Sequence, residues 1–422
     1  MPQDRIIIVG AGLLGVCSAW ELAERGYAVT VLEARPGAGE DTSFANGGML
    51  TPSMPDPWNS PGVWKHLASS LFDPTSAMKL RLRAVPSLMS WGISFLRHSS
   101  PRHHQYATEA NLRLALLSVP RTLEWADRLG LEFDRSDKGS LKFFLDRDEF
   151  EQAVSKIAWL RDVGLGFEAL DATATIAREP ALASIEGRLG GAIHYPGDAR
   201  GDAHLFTKGL AAAARQAGVE FRYDTQVESL LVERGRVAGV QLRGGRAPAD
   251  QVIVAAANAS RGLIGPLGLR LPVRPAKGYS VTFDVEGIDG VPGHALIDDA
   301  RHAALVPLGT CLRAVGTAEF TGEDRRMRPE RIDNLKAMMR ANLPSVAAAL
   351  EGQDGNEWCG LRPMSADGRP FIGATRIPGL WLNTGHGSLG WTLAAGSAKL
   401  LGELISKDTP SVDPEPYAAS RI

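Results

Sequence analysis

Arg5-Ile6-Ile7-Ile8-Val9-Gly10-Ala11-Gly12-Leu13-Leu14-Gly15 is the stretch from which the rest of the chain is read. Ile6 to Val9 make an unbroken apolar run rather than an alternating one, the pattern of a parallel strand covered on both faces. The glycines that follow have separate duties. Gly10 permits a tight turn, Gly12 lets backbone approach a pyrophosphate with no Cβ in the way, and Gly15 lets the next helix lie close to the strand. Apolar positions at Leu13, Leu14, Cys17, Trp20, Leu22 and Ala23 predict a helix packed on a sheet and closed at Gly26, its free N–H groups turned toward phosphates. Ala28 to Leu32 reads as a second strand, and Glu33 at its end is placed to accept hydrogen bonds from ribose hydroxyls. A bare G-x-G-x-x-G says little. Here strand, turn, helix, strand and acid all fall within one βαβ unit, the context a dinucleotide site needs, although the motif does not say which dinucleotide.

A length of 422 residues predicts two or three domains, and 44% hydrophobic with 22% charged residues is ordinary for a globular protein. The formal net charge of -2, with no basic run, argues against a nucleic-acid partner. Cys17, Cys311 and Cys359 are far apart and lack metal-ligand spacing, so neither a disulfide framework nor a metal site is expected. The buried strand starts almost at once, which leaves no room for a signal peptide and predicts a cytoplasmic protein; no apolar run reaches the roughly 18 residues a span needs. Leu88, Met89, Trp91, Ile93, Phe95 and Leu96, flanked by Arg81, Arg83 and Arg97, read as a core stripe in preference to a helix resting on a membrane. Peripheral contact at residues 86–97 with an inner membrane stays open.

Residues 50–135 are mostly helical in pattern, interrupted by prolines from Pro52 through Pro74 to Pro101, with a long helix over 111–129 that ends at Gly130. A strand over 139–145 and a helix over 148–163 follow, and the nucleotide-binding domain resumes near Gly191. Three short strands over 221–223, 227–232 and 237–242 suggest a meander, and Gln251 to Ala256 another buried strand. Strands over 279–285, 294–297, 303–308 and 311–318 are too closely spaced for helical crossovers and predict an antiparallel sheet. The fold class is therefore α/β: a Rossmann-like domain with a mixed, mainly parallel sheet (residues 1–50, 187–275 and 355–422) and an inserted α+β substrate domain on an antiparallel sheet (51–186 and 276–354).

Two further stretches carry chemistry: Gly360-Leu361-Arg362-Pro363-Met364-Ser365-Ala366-Asp367-Gly368, and Asn383-Thr384-Gly385-His386-Gly387-Ser388-Leu389-Gly390-Trp391, the second leading into a helix over 392–405. A glycine-rich loop at a helix start offers N–H donors to an anionic ring. With these residues in view, the chain resembles the D-amino acid dehydrogenase family, within the FAD-dependent amine oxidoreductases that include glycine oxidase and sarcosine oxidase. The resemblance runs through residues 7–33, 42–52, 195–206 and 274–283, and above all 360–373 with 382–391.

What the resemblance implies is a non-covalent FAD in an extended pose. Its adenosine end would lie on Gly10, Gly12, Leu13, Leu14, Gly15, Glu33, Ala34 and Arg35, near Val227 and Ala256. Its ring would lie beside Thr42, Ser43, Asn46, Gly47, Gly48 and Met49 on one side, and Gly360, Gly385, Gly387, Ser388, Leu389, Gly390 and Trp391 on the other. Arg362 would clamp the substrate carboxylate, as a planar guanidinium can do bidentately. His386 would tune the reaction or only orient its loop, and Tyr279 would shape the pocket or only pack across strands. The implied reaction is oxidative deamination of a D-amino acid to a 2-oxo acid and ammonia, with electrons passed to a quinone or another acceptor. Ala303 and Ala304 stand where glycine oxidases carry a pocket tyrosine, and Gly47-Gly48-Met49-Leu50 differs from the usual dehydrogenase stretch. Both leave open a cyclic D-imino acid such as D-proline, or a glycine/sarcosine-type oxidase that uses oxygen.

Overall fold

The structure is a computed structural model that describes residues 4–65 and 78–421. Pro74, in the expected helical run, lies outside them. Arg5–Val9 forms the central strand of a six-stranded sheet, flanked in parallel by Ala28–Leu32 and Gln251–Val254, with Ile8 opposite Val31 and Ile253. The sheet order is Phe371–Ala374, Leu380–Thr384, Gln251–Val254, Arg5–Val9, Ala28–Leu32, Glu220–Arg222; each neighbouring pair is parallel except the first.

The apolar run at Ile6 to Val9 is explained by cover on both sides. Ile6 and Ile8 point into a core shared with helices Leu13–Glu24, Ala203–Gln216 and Ala394–Ser406, on which the long helix Pro101–Leu129 packs. Close helix packing sets the small residues of the last of these: a Cβ at Gly396 would come within 2.8 Å of Ser118 Cβ and 2.9 Å of Leu114 O. Ile7 and Val9 point the other way, under a three-stranded meander of Val227–Glu233, Arg236–Leu242 and Gly245–Pro248. The first hairpin of that meander turns at Arg234 and Gly235, both at positive φ (50° and 78°), as a tight two-residue turn requires.

The second sheet has nine strands. Its order is Asn356–Ser365, Val273–Asp284, Cys311–Phe320, Ala303–Leu308, Ala295–Asp298, Ser140–Phe144, Gly191–Tyr195, Glu168–Leu170, with Met78–Leu80 against the end of Cys311–Phe320. It is antiparallel but for Ala295–Asp298 on Ser140–Phe144 and Met78–Leu80 on Cys311–Phe320. Its far face, with Tyr279, Val281, Phe283 and Ala314, is covered by helix Pro329–Asn342 through Ile332, Leu335 and Met338. Its near face is turned to the first domain.

Four expectations are corrected. The strand at Gly191–Tyr195 does not resume the nucleotide-binding domain; it pairs with Ser140–Phe144 in the second sheet. Val273–Asp284 and Asn356–Ser365 belong wholly to the second sheet, so the boundaries expected at 187, 275 and 355 do not follow sheet membership, and the chain returns to the first sheet only at Phe371. Phe221 lies on Glu220–Arg222 in the parallel sheet, and the third meander strand is Gly245–Pro248. In each case a strand shows its own pattern but not its partner. The stripe on helix Val85–Arg97 is divided: Leu88, Trp91 and Phe95 are core, whereas Met89, Ile93 and Leu96 are exposed.

Candidate active site

The N-terminal end of the site is built by the three glycines. Gly10 sits at φ 108°, and a Cβ there would lie 2.7 Å from Ala255 O. A Cβ at Gly15 would collide with Gly10 O, which is how close helix Leu13–Glu24 comes to its strand. Gly12 differs from both: a Cβ would meet nothing nearer than Ser43 Oγ at 3.8 Å, and the helix that starts after it carries no side-chain cap. That leaves an open cradle before the first helix amides, of which Leu13 N–H reaches Ser43 Oγ only at a long 3.4 Å, and the cradle fits a pyrophosphate. Glu33 accepts from Ala11 N at 2.6 Å and Arg35 N at 2.9 Å, and Thr225 N donates to Glu33 O, which draws the meander strand that begins at Val227 alongside.

Residues 42–49 lie between the two sheets, held by both. Thr42 Oγ1 donates to Leu361 O at 3.0 Å, and Ser280 Oγ donates to Ala45 O at 2.9 Å. Arg313, buried on the near face of the second sheet, donates to Asn46 O at 3.1 Å and pairs with Asp202 at 3.1 Å. Asn46 Oδ1 accepts from Gly48 N, and Gly48, at φ 65°, accepts from Gly201 N. Met49 packs on Val306 and Val315.

Above this loop is Arg362. The pairing of Ala276 with Arg362 puts its side chain on the near face, where a Cβ at Gly278 would collide with the guanidinium. NH1 donates to Thr317 O at 2.9 Å, and Thr317 takes an unusual φ of 66° at a register shift between the two strands. The ring of Trp58 lies 5.5 Å from the guanidinium carbon. Among the described residues no carboxylate pairs with Arg362. Burial lowers its pKa to about 10, still leaving it charged at neutral pH.

The loop 385–391 closes the site from below. Gly385 and Gly387 take φ of 79° and 58°, and a Cβ at Gly390 would lie 4.0 Å from Leu14 Cδ2, so this loop meets the start of the first helix. His386 forms an isolated antiparallel bridge with Met364, two residues after Arg362 on the same strand. Its Nε2 is 2.9 Å from Ser397 Oγ, and burial lowers its pKa to about 3, which makes it a neutral imidazole. The Trp391 side chain is core, edge-on to Phe133 at 6.2 Å.

Tyr279 is not brought to the site. Strand alternation sends it to the far face, where its hydroxyl donates to Glu319 Oε2 at 2.6 Å. Cys359 is also on the far side, its Sγ against Arg325 O. Residues that pattern reading missed are Trp58, Thr317, Arg313, and a buried acid, Asp198, which accepts from Ser53 Oγ and Ser140 Oγ at 2.6 Å each. Burial outweighs those bonds and raises Asp198 to about 7. All four act through contacts distant in sequence, which leave no local signal.

A family described as FAD dependent oxidoreductase matches residues 5–404. A D-amino acid dehydrogenase of Cereibacter sphaeroides is 40% identical over 409 residues, 97% of this chain and 93% of that protein. One of Paramagnetospirillum magneticum is 40% identical over 406 residues, covering 95% of each. Among solved structures, L-proline dehydrogenase from P. horikoshii superposes with a TM-score of 0.79 at 20% identity over 99% of this chain and 97% of that one. Glycine oxidase from Geobacillus kaustophilus gives 0.75 at 23% over the whole of both. At such identities the structures speak for the fold, which they share from end to end. The sequence match over nearly the full length, together with a glycine cradle shaped for a pyrophosphate, places the chain in the FAD-dependent oxidoreductase family.

Proposed function

We propose that the protein is an FAD-dependent D-amino acid dehydrogenase. The observation that carries the reading is Arg362: a desolvated guanidinium with no carboxylate partner among the described residues, facing the loop 42–49 across a surface of small side chains. A buried cation is costly unless something anionic completes it, and an amino-acid carboxylate does so with bidentate geometry. Thr317 O and Trp58 hold the guanidinium in place, so that a bound carboxylate would find its partner already oriented. Bound FAD would supply the two-electron acceptor for the Cα–H of the substrate, giving an imino acid that water hydrolyses to a 2-oxo acid and ammonia. The chain's own part is to bind, orient and exclude water; neutral His386 adds no charge beside the loop.

Non-covalent FAD is supported by Cys359, which faces away from Arg362. A quinone acceptor is in keeping with helix Val85–Arg97, whose outer face exposes Met89, Ile93 and Leu96 beside Arg83 and Arg97 and suits peripheral contact with an anionic membrane. Among the described residues no helix is long and apolar enough to cross one.

The test is anaerobic. D-amino acids should bleach the purified yellow protein, and Arg362→Ala should keep its flavin but lose the bleaching. Full reduction of the variant by the same substrates would remove the clamp, and bleaching by L-amino acids alone would remove the assignment.

A further inference from the structure

Between the loop 55–59 and the loop 385–389 lies a small cavity with room for about 20 Å³ of solvent, lined among others by Asn59, Asn111, Gly368 and His386. Each of Asn59, Asn111 and His386 is buried, and each carries one buried polar atom with no hydrogen-bond partner among the described residues: Asn59 Oδ1, Asn111 Oδ1 and His386 Nδ1. The two amides are fixed in orientation. Asn111 Nδ2 donates to Pro55 O at 2.9 Å and Gly368 O at 3.0 Å; Asn59 Nδ2 donates to His98 O at 3.0 Å and lies 3.5 Å from Ala366 O. Flipping either amide would set an oxygen against carbonyls, so the free atoms are the oxygens, and both are acceptors in need of a donor.

The cavity is slightly larger than the roughly 10–15 Å³ that one water needs, and its partners number within the 2–4 that a buried water takes. We infer that a resident water occupies this site, donating to Asn59 Oδ1 and Asn111 Oδ1 and accepting from His386 Nδ1–H. Asn59 and Asn111 thereby act as positioning residues for His386. The water sets the imidazole tautomer, with the proton on Nδ1, and makes Nε2 the acceptor for Ser397 Oγ–H across 2.9 Å. It also joins two halves of the site. Asn59 follows Trp58, which covers Arg362, while His386 sits in the loop that meets the first helix. The inference rests on the proposed function only for the consequence of that coupling; the water and the tautomer stand on the cavity alone.

Three measurements on the FAD-loaded protein test it. A high-resolution crystal structure should show one density peak within hydrogen-bond distance of all three atoms; a dry cavity, or a peak that misses both asparagine oxygens, overturns the inference. Nitrogen chemical shifts of labelled histidine should report His386 as the Nδ1–H tautomer; the Nε2–H form overturns it as well. Asn59→Leu should redistribute the tautomers and lower kcat/KM by about tenfold, in line with loss of an outer-layer partner. An unchanged tautomer in folded Asn59→Leu counts against the bridge. If Asn59→Leu does not fold, the wild-type map and shifts decide. Bleaching of the wild-type protein by D-amino acids is scored separately, so the proposed function can fail while the water stands.

Discussion

Two buried cationic sites lie on opposite faces of the same sheet, and they are built in opposite ways. On the far face Glu319, itself fully buried, receives Tyr279 at 2.6 Å, Arg81 at 2.5 Å, Lys277 at 3.6 Å and Arg331 at 3.9 Å. Burial pushes its carboxyl up, but the hydrogen bonds from Tyr279 and Arg81 and the surrounding positive charge hold it below the usual range. On the near face Arg362 has a carbonyl and an aromatic ring but, among the described residues, no anion. The far site finds its counter-charge within the chain; the near one, in the function proposed above, takes its counter-charge from a bound carboxylate. Burial alone therefore does not separate the two sites; the presence or absence of a counter-charge among the described residues does.

The largest expected effect breaks the near site. Arg362→Ala should lower kcat/KM by about a thousandfold, the equivalent of about 4 kcal/mol for a truncated buried ion pair, while the melting temperature stays level or rises because an uncompensated charge is gone. Glu319→Gln should do the reverse. It leaves the fully buried Lys277 without the carboxylate it pairs with at 3.6 Å, so a loss of about 3–5 kcal/mol in unfolding free energy is expected, with kcat/KM of the folded fraction near wild type. Equal losses of stability in both variants would erase the contrast.

Half of this contrast was legible in the sequence. Gly10 to Glu33 could be read because each step of the motif is local: a run, a turn, a helix and an acid in order. Arg362 could be read because its strand carries a recognisable run of residues. The two readings of Tyr279 cannot be separated in the sequence, because strand alternation tells which residues share a face but not which face meets the cofactor domain. Glu319 with its cations was not legible at all, since Arg81, Lys277, Glu319 and Arg331 come together only when a strand, its neighbour and a helix over them are assembled. Likewise Gly191–Tyr195 shows a buried strand while the identity of its partner depends on residues fifty positions earlier.

Acid titration separates the two faces next. The folded pKa of His386 is depressed to about 3, so the unfolded chain binds the proton first and stability falls as pH drops below the ordinary histidine value near 6.5. Asp198 has the opposite sign: its folded pKa is raised to about 7, and the stability it contributes at low pH is lost as pH rises from about 4 toward 7. Between pH 6.5 and 5 each amounts to about 2 kcal/mol, so they nearly cancel in the wild-type protein. Asp198→Asn should therefore expose a loss of about that size on acidification over the window, and adding His386→Gln should flatten it again. The far face enters later: Glu319, whose folded pKa is lowered, gives up its contribution only as pH falls through and below the ordinary glutamate range. Chemical denaturation at stepped pH reads both phases, and a single phase shared by all variants would deny the separation.

The smallest effect is the sharpest test of which face is which. Tyr279→Phe removes one hydroxyl that donates to Glu319 and disturbs little else, because the ring stays packed with Val281, Leu305 and Ala314 in the far core. One charge-assisted bond of this kind is worth about 1–2 kcal/mol, so unfolding should become easier by that much. KM and kcat should not move, since Lys277 and Tyr279 alternate with Gly278 and Ser280 and only the latter pair faces Arg362 and the loop 42–49. A several-fold rise in KM with flavin content unchanged would mean that the far network sets the position of Arg362 through the strand they share, and the two sites would then be one.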